Sequence, residues 1–148
     1  MAKIDRQAAY SGTKDVAAAL RFDVSRLEEY LAAHVRGFAG PLSVQQFRGG
    51  QSNPTYVLET PARRYVLRRK PPGKLLPSAH AVDREFRVIS ALHGAGFPVA
   101  EPFVYCADES VVGTPFYVMG FVDGRVIWEP GMPGSTPDER RAVFDVMN

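Results

Sequence analysis

Apolar side chains recur at helical spacing from residue 23 to residue 38 and then alternate with polar ones in short runs. The first pattern predicts an amphipathic helix that begins near Asp23, where Ser25 and Glu28 have the spacing of a capping box. The second pattern predicts an antiparallel meander, because Gly- or Pro-containing turns separate the runs. The helical stripe is Leu27, Tyr30, Leu31, His34, Val35 and Phe38, and the strand runs are 42–47, 55–60 and 64–70.

A second helix and two further strands complete the pattern. Residues 80–93 carry an apolar stripe at helical spacing, with Ser78 or a neighbour as the expected cap. Two more strand-like runs, near 103–107 and 115–121, flank an acidic turn at Asp108 and Glu109. The predicted fold class is therefore α+β: a five-stranded antiparallel sheet with one inserted helix, preceded by an N-terminal helix.

The last residues start another helix. Thr136 and Glu139 have capping-box spacing, and Pro137 suits the first helical position. The apolar stripe that follows runs to the end of the chain. We expect residues 123–148 to be the truncated start of a further lobe, whose exposed apolar face meets a complementing lobe or a second copy of the chain.

Composition places the chain among globular proteins. It has 148 residues, 45% of them hydrophobic and 23% charged, and a net charge of +2, too small for the whole chain to act as a polycation. The single cysteine, Cys106, lies in an apolar run and is expected to be a packed thiol in a reducing compartment. No run reaches the about 18 apolar residues of a membrane span. We expect a soluble, cytoplasmic protein.

The charge is unevenly placed. Between Arg63 and Lys74 there are six basic residues and no acidic one. Residues two apart on a strand share a face, so Val66 and Arg68 point the same way. We expect Arg68 to turn inward and the other basic side chains to be solvated.

A glycine pair between the first two strand runs, one strand ahead of the basic one, is typical of a phosphate-binding turn. Gly49 and Gly50 let the backbone approach a ligand, and Ser52 and Asn53 add small polar groups there. An ordinary hairpin turn is the alternative for the glycines alone. Glu85, on the following helix, is the expected carboxylate partner of Arg68.

Four segments together resemble the aminoglycoside phosphotransferase family, and more narrowly the kinase-like domain fused to some acyl-CoA dehydrogenases. They are residues 47–56, 65–73, 83–86 and 116–124. The resemblance implies a protein-kinase-like N-lobe with its hinge over residues 23–122, after a loosely ordered leader at 1–22. The helix that carries Glu85 then corresponds to the αC helix of kinases.

The resemblance also implies an ATP site, with Mg²⁺ as the accompanying ion. Gly49, Gly50, Ser52 and Asn53 would cradle the phosphates, and Arg68, held by Glu85, would bind them in place of the usual lysine. Val66 and Met119 would line the adenine slot, with Met119 as gatekeeper. The hinge backbone would comprise Gly120, Phe121 and Val122.

The family's His-Gly-Asp catalytic loop is absent from the sequence. None of the three histidines, His34, His80 and His93, is followed by Gly-Asp, so no catalytic residue and no metal ligand is assigned. We expect a fragment of a phosphotransferase that acts on a small-molecule hydroxyl, inactive alone. A non-catalytic nucleotide-binding or scaffold module acting with another polypeptide is the alternative.

Two further features of the sequence are the basic run and the single tryptophan. A nucleic-acid-binding role for the basic run is disfavoured, because Tyr65 alternates away from the basic face and the net charge is small. Trp128 either lines a substrate cleft or packs in a core.

Overall fold

The computed structural model describes residues 9–49 and 52–147, which belong to two compact units. Residues 12–123 form the unit that holds the sheet, and residues 124–147 with those before Gly12 form the other. The strands are β1 (Thr13–Lys14), β2 (Ser43–Phe47), β3 (Thr55–Glu59), β4 (Arg64–Arg69), β5 (Pro102–Cys106) and β6 (Phe116–Gly120). The helices used below are α1 (Val24–His34), α2 (Val82–Gly94), α3 (Glu109–Val112) and α4 (Pro137–Met147).

The sheet is antiparallel, with the strand order β1-β2-β3-β4-β6-β5. The α+β class and the predicted meander are confirmed. The structure adds a sixth strand that the sequence did not predict, because Thr13 and Lys14 pair with Phe47 and Gln46. A 3₁₀ turn at Ala18–Leu20 follows, so this part of the leader contributes to the folded unit.

Helix α1 covers one face of the sheet and supplies its core. Leu27 and Leu31 are fully buried against apolar side chains of β3, β4 and β6. The cap differs from the prediction: Asp23 Oδ1 accepts hydrogen bonds from the amides of Ser25 and Arg26, so Asp23 and not Ser25 begins the helix. Glu28 instead accepts a hydrogen bond from the Leu42 amide at 2.9 Å, which ties α1 to the entry of β2.

The segments that form the start of α2 and the helix α3 also differ from the sequence prediction. Helix α2 begins after Ala81 without a side-chain cap, and Ser78 lies in a turn with φ +66°. Ser78 is therefore not the cap. The predicted acidic turn is the short helix α3, whose cap Asp108 accepts a hydrogen bond from the Ser110 amide.

Arg69 corrects the expectation that only Arg68 turns inward. Arg69 is 3% exposed and lies on the α1 side of the sheet. Its guanidinium donates to Tyr56 Oη, to the Val112 carbonyl at 2.6 Å and to the Leu20 carbonyl at 2.7 Å. In the described part of the chain it has no carboxylate partner. A buried cation held by carbonyls therefore joins β4, α3 and the 3₁₀ turn.

In the second unit, α4 begins with the predicted capping box. The Thr136 amide donates to Glu139 Oε2 at 2.7 Å, and the Glu139 amide donates to Thr136 Oγ1 at 3.2 Å. Val146 and Met147 at its end are 82% and 73% exposed. What covers this apolar end, a complementing lobe or a second copy, stays a prediction.

The capping box gives a pH-dependent helix start. Hydrogen bonds from the Thr136 backbone and side chain hold the pKa of Glu139 below its ordinary value of 4.5. A carboxyl whose pKa is lowered by folding stabilises the fold above its unfolded pKa, and this contribution is lost as pH falls through the folded pKa. We expect Thr136→Ala to raise the Glu139 pKa in a carbon-detected NMR titration. Ser135→Ala, which leaves both bonds in place, is the control; a shift of equal size there would contradict the assignment.

Candidate functional site

The face of the sheet that α1 does not cover carries two rows of side chains that run across the strands. Residues paired across antiparallel strands share a face. Thr55, Arg68 and Tyr117 form a polar row, and Val57, Val66 and Met119 form the neighbouring apolar row. Because strand residues alternate, this face is opposite the one that α1 covers.

Arg68 and Glu85 form the ion pair that the sequence predicted. Arg68 Nε donates to Glu85 Oε2 at 2.7 Å, and Nη2 lies 3.5 Å from Oε1. Arg68 Nη1 also donates to Thr55 Oγ1 at 3.2 Å, across the strand pair. The side chains of Arg68 and Glu85 are 26% and 35% exposed, so the pair is partly screened by water and still open to a ligand.

Tyr117 is a further partner of Glu85 that sequence reasoning missed. Its hydroxyl donates to Glu85 Oε2 at 3.0 Å. Burial raises the pKa of the Tyr117 phenol most, and the charge of Glu85 and this hydrogen bond raise it further. Tyr117 therefore stays protonated and keeps donating over the accessible pH range.

Asn53 joins the loop before β3 to the same carboxylate. It is 1% exposed, and its Nδ2 donates to Glu85 Oε1 at 3.1 Å. Its Oδ1 lies 2.8 Å from His80 Nδ1. Both polar ends of the side chain are thus occupied by protein groups, while the neighbouring Ser52 is exposed.

One open cleft of about 760 Å³ collects five of the eleven predicted site residues. Ser52, Asn53, Arg68, Glu85 and Met119 all line it, and so do Tyr117 and His80, which the sequence did not single out. Val66 is buried beside Met119 in the apolar row. Gly49 lies near the start of the loop between β2 and β3, and Gly50 lies outside the described residues.

The predicted hinge is an extension of β6. The Gly120 amide donates to the Glu101 carbonyl at 2.8 Å, and the Phe121 amide donates to the Arg64 carbonyl at 3.3 Å. Val122 is 67% exposed, and its amide has no partner among residues 9–49 and 52–147. Of the three hinge amides, only that of Val122 is available to a ligand.

Side chains fix the position of this segment. The Phe121 ring lies parallel to Phe47, with centroids 6.3 Å apart, and the Arg64 guanidinium lies 4.0 Å from the Phe121 centroid. Arg64 also pairs with Asp123 at 2.6 Å. Phe47 is the last residue of β2, so this strand and the predicted hinge share one aromatic contact.

The described residues contain no group of three or more His, Cys, Asp and Glu side chains placed to hold a metal ion. No helix there is long and apolar enough to cross a bilayer. Trp128, in the second unit, lines a cavity of about 220 Å³, and its ring centroid is 5.5 Å from that of Tyr10.

A small antiparallel sheet, with an Arg–Glu pair between a strand and the following helix and an open cleft beside that pair, is the arrangement of the small lobe of a kinase-like phosphotransferase. The sequence profile of the phosphotransferase enzyme family matches residues 43–147, and the chain belongs to this family.

Several known proteins are similar to this chain in sequence or in structure. Acyl-CoA dehydrogenase family member 11 of Homo sapiens is 48% identical over 141 residues, which cover 90% of this chain and 18% of that protein. Probable acyl-CoA dehydrogenase IBR3 of Arabidopsis thaliana is 45% identical over 137 residues, or 87% of this chain and 17% of that protein. A crystal structure from Ralstonia eutropha, assigned as an aminoglycoside phosphotransferase, superimposes with a TM-score of 0.71 and 50% identity over 84% of this chain and 35% of that one. The chain thus spans less than a fifth of these curated relatives.

Proposed function

We propose that this chain is the nucleotide-binding lobe of an ATP-dependent phosphotransferase that phosphorylates a hydroxyl group of a small molecule. The observation that carries the proposal is the Arg68–Glu85 pair, which lies in an open cleft beside the loop that holds Ser52. Membership of the phosphotransferase family supports the reaction class. The chain covers only part of the length of its relatives, and the phosphorylation that we propose is the reaction of a whole enzyme.

Arg68 suits a phosphate chain. Its Nε and one hydrogen on each terminal nitrogen are used by Glu85 and Thr55, which leaves the second hydrogen of Nη1 and of Nη2 for an anion. A guanidinium keeps its charge at any accessible pH and can bind phosphate through two parallel hydrogen bonds. Glu85 fixes the orientation of this fork, and the exposed Ser52 hydroxyl can add a donor.

The apolar row suits a planar base. Val57 is 3% and Val66 7% exposed, and Met119 is partly exposed beside them. Sequence reasoning missed Val57, although it lies opposite Val66 on the neighbouring strand. The Val122 amide, which has no partner in the described part of the chain, can donate one hydrogen bond to the ring edge of the base.

Bound ATP would supply the phosphoryl group, with Mg²⁺ to neutralise its charge. The residues described here hold no acidic cluster for that ion, so we assign the metal and the catalytic base to parts outside them. The role proposed for this chain is to bind and orient the nucleotide. Binding without turnover in any longer product would favour the non-catalytic scaffold instead.

Methyl NMR tests the proposal directly. ATP with Mg²⁺ is titrated into the 148-residue chain and, where the coding sequence continues, into the longer product. We expect the methyl signals of Val57, Val66 and Met119 to shift, because the base would lie against them. Leu27 and Leu31, buried on the opposite face, are internal controls.

Two outcomes would contradict the proposal. Either no methyl signal moves at millimolar nucleotide in both proteins, or the signals of both faces move alike. A single-stranded oligonucleotide titrated in parallel tests the nucleic-acid alternative, which predicts binding that weakens steeply with salt.

A further inference from the structure

The turn before α2 has an unusual backbone. Ser78 and His80 have φ values of +66° and +57°, in a region that non-glycine residues rarely adopt. Such conformations persist where surrounding contacts determine them, and they cluster at functional sites. The His80 carbonyl accepts a hydrogen bond from the Val82 amide at 2.8 Å, which joins this turn directly to the first residue of α2. The turn thereby presents the His80 ring to the cleft.

The hydrogen bonds around Asn53 define the tautomer of His80. Since Asn53 Nδ2 faces the Glu85 carboxylate, its carbonyl oxygen Oδ1 faces His80. An amide oxygen only accepts, so His80 Nδ1 carries the hydrogen and donates it. The neutral ring is therefore the Nδ1–H tautomer, and Nε2 makes no hydrogen bond within the described residues.

A continuous series of hydrogen bonds results. His80 donates to Asn53, Asn53 donates to Glu85, and Arg68 donates to both oxygens of Glu85. Without His80, the buried Asn53 Oδ1 would lose its donor, and the Asn53 amide would be free to turn away from the Glu85 carboxylate toward other partners. The carboxylate that orients the Arg68 fork would then lose one of its donors.

We propose that His80 is a positioning residue: its Nδ1–H fixes the Asn53 amide, and Asn53 in turn fixes the Glu85 carboxylate that orients Arg68. The loop before β3 and the start of α2 are thereby held in one register. The part of this inference that concerns nucleotide affinity rests on the proposed function, whereas the part that concerns Arg68 does not.

Three variants separate the hydrogen bond from the backbone conformation. His80→Asn keeps a donor at the position of Nδ1 and tolerates positive φ. His80→Gly also tolerates positive φ but deletes the donor. The matched control is His34→Asn on the exposed surface of α1, where the ring stacks on Tyr30 and lies within hydrogen-bond distance of its carbonyl.

The first readout is the NMR signal of the Arg68 Nε–H proton in nucleotide-free protein. In the wild type and in His80→Asn we expect a slowly exchanging proton, because Glu85 Oε2 accepts it. In His80→Gly we expect its exchange to be at least about fivefold faster, the effect of losing one net hydrogen bond. The ring ¹⁵N shifts of His80 report the tautomer independently.

The second readout is the dissociation constant for ATP with Mg²⁺. We expect His80→Gly to weaken binding about fivefold, and His80→Asn to stay within about twofold of the wild type. Equal behaviour of His80→Gly and the wild type in the Arg68 signal, or equal losses in His80→Gly and His80→Asn, would overturn the inference. If the wild type binds no nucleotide, the proposed function fails, while the Arg68 and tautomer measurements still decide the role of His80.

Discussion

Replacing Arg69 with methionine is expected to lower the free energy of unfolding by about 3 kcal/mol, because a buried hydrogen-bond network is lost. The change removes the donors that satisfy the Val112 carbonyl and Tyr56 Oη, and it leaves Leu20 with the Tyr56 hydroxyl alone. Each orphaned buried group costs about 1–3 kcal/mol. Removing a desolvated charge offsets part of that loss. Urea unfolding followed by circular dichroism measures the difference.

Two further variants make the experiment decisive. Arg69→Lys keeps the charge but lacks a planar fork that reaches three separate acceptors, so an intermediate loss is expected. Arg64→Met, on the same strand, removes an exposed pair with Asp123 and should cost no more than about 1 kcal/mol. If Arg69→Met were as stable as Arg64→Met, the cost of burying the cation would cancel its hydrogen bonds.

Replacing Arg68 with alanine is expected to weaken nucleotide binding by about a hundredfold, or about 2.7 kcal/mol. The variant loses a charge-assisted fork to the phosphates and also leaves the Glu85 carboxylate uncompensated beside a polyanion. Competition against a fluorescent nucleotide analogue measures the dissociation constant.

The controls distinguish binding from folding. Arg87→Ala removes a cation from the outer surface of α2, where its side chain is 77% exposed, and should leave affinity unchanged. Arg68→Lys should recover part of the affinity, because the charge remains while the fork is lost. Unfolding temperatures are compared in parallel. An unchanged dissociation constant in folded Arg68→Ala would show that the phosphates lie elsewhere.

Periodicity predicted the parts of this fold that repeat a simple rule. The alternation at 55–60 and 64–70 gave the central strands, and the helical stripe with Leu27 and Leu31 gave α1. The Arg68–Glu85 pair followed from a strand and the next helix, two elements close in sequence. Such local patterns fix both the element and the face of each side chain.

Contacts between residues far apart in the sequence could not be predicted from these local patterns. Alternation places Arg68 and Arg69 on opposite faces, but the carbonyls of Leu20 and Val112 that accept from a buried Arg69 lie far from it in the sequence. Asp23 and Ser25 are both good caps, and the choice depends on where the chain enters the helix. The contact of His80 with Asn53 spans 27 positions and two backbone conformations with positive φ, which no periodic pattern encodes.

Side chains along β4 alternate between the two faces of the sheet, so a substitution at an odd-numbered position affects a different face from one at an even-numbered position. Tyr65 and Leu67 pack in the core under α1 and Arg69 is buried on the same face, whereas Val66 and Arg68 lie on the opposite face, which carries the cleft. Changes at odd positions should therefore alter how much folded protein exists, and changes at even positions should alter what that protein binds. Evolution could thus vary ligand preference along one strand while leaving the packing beneath it untouched.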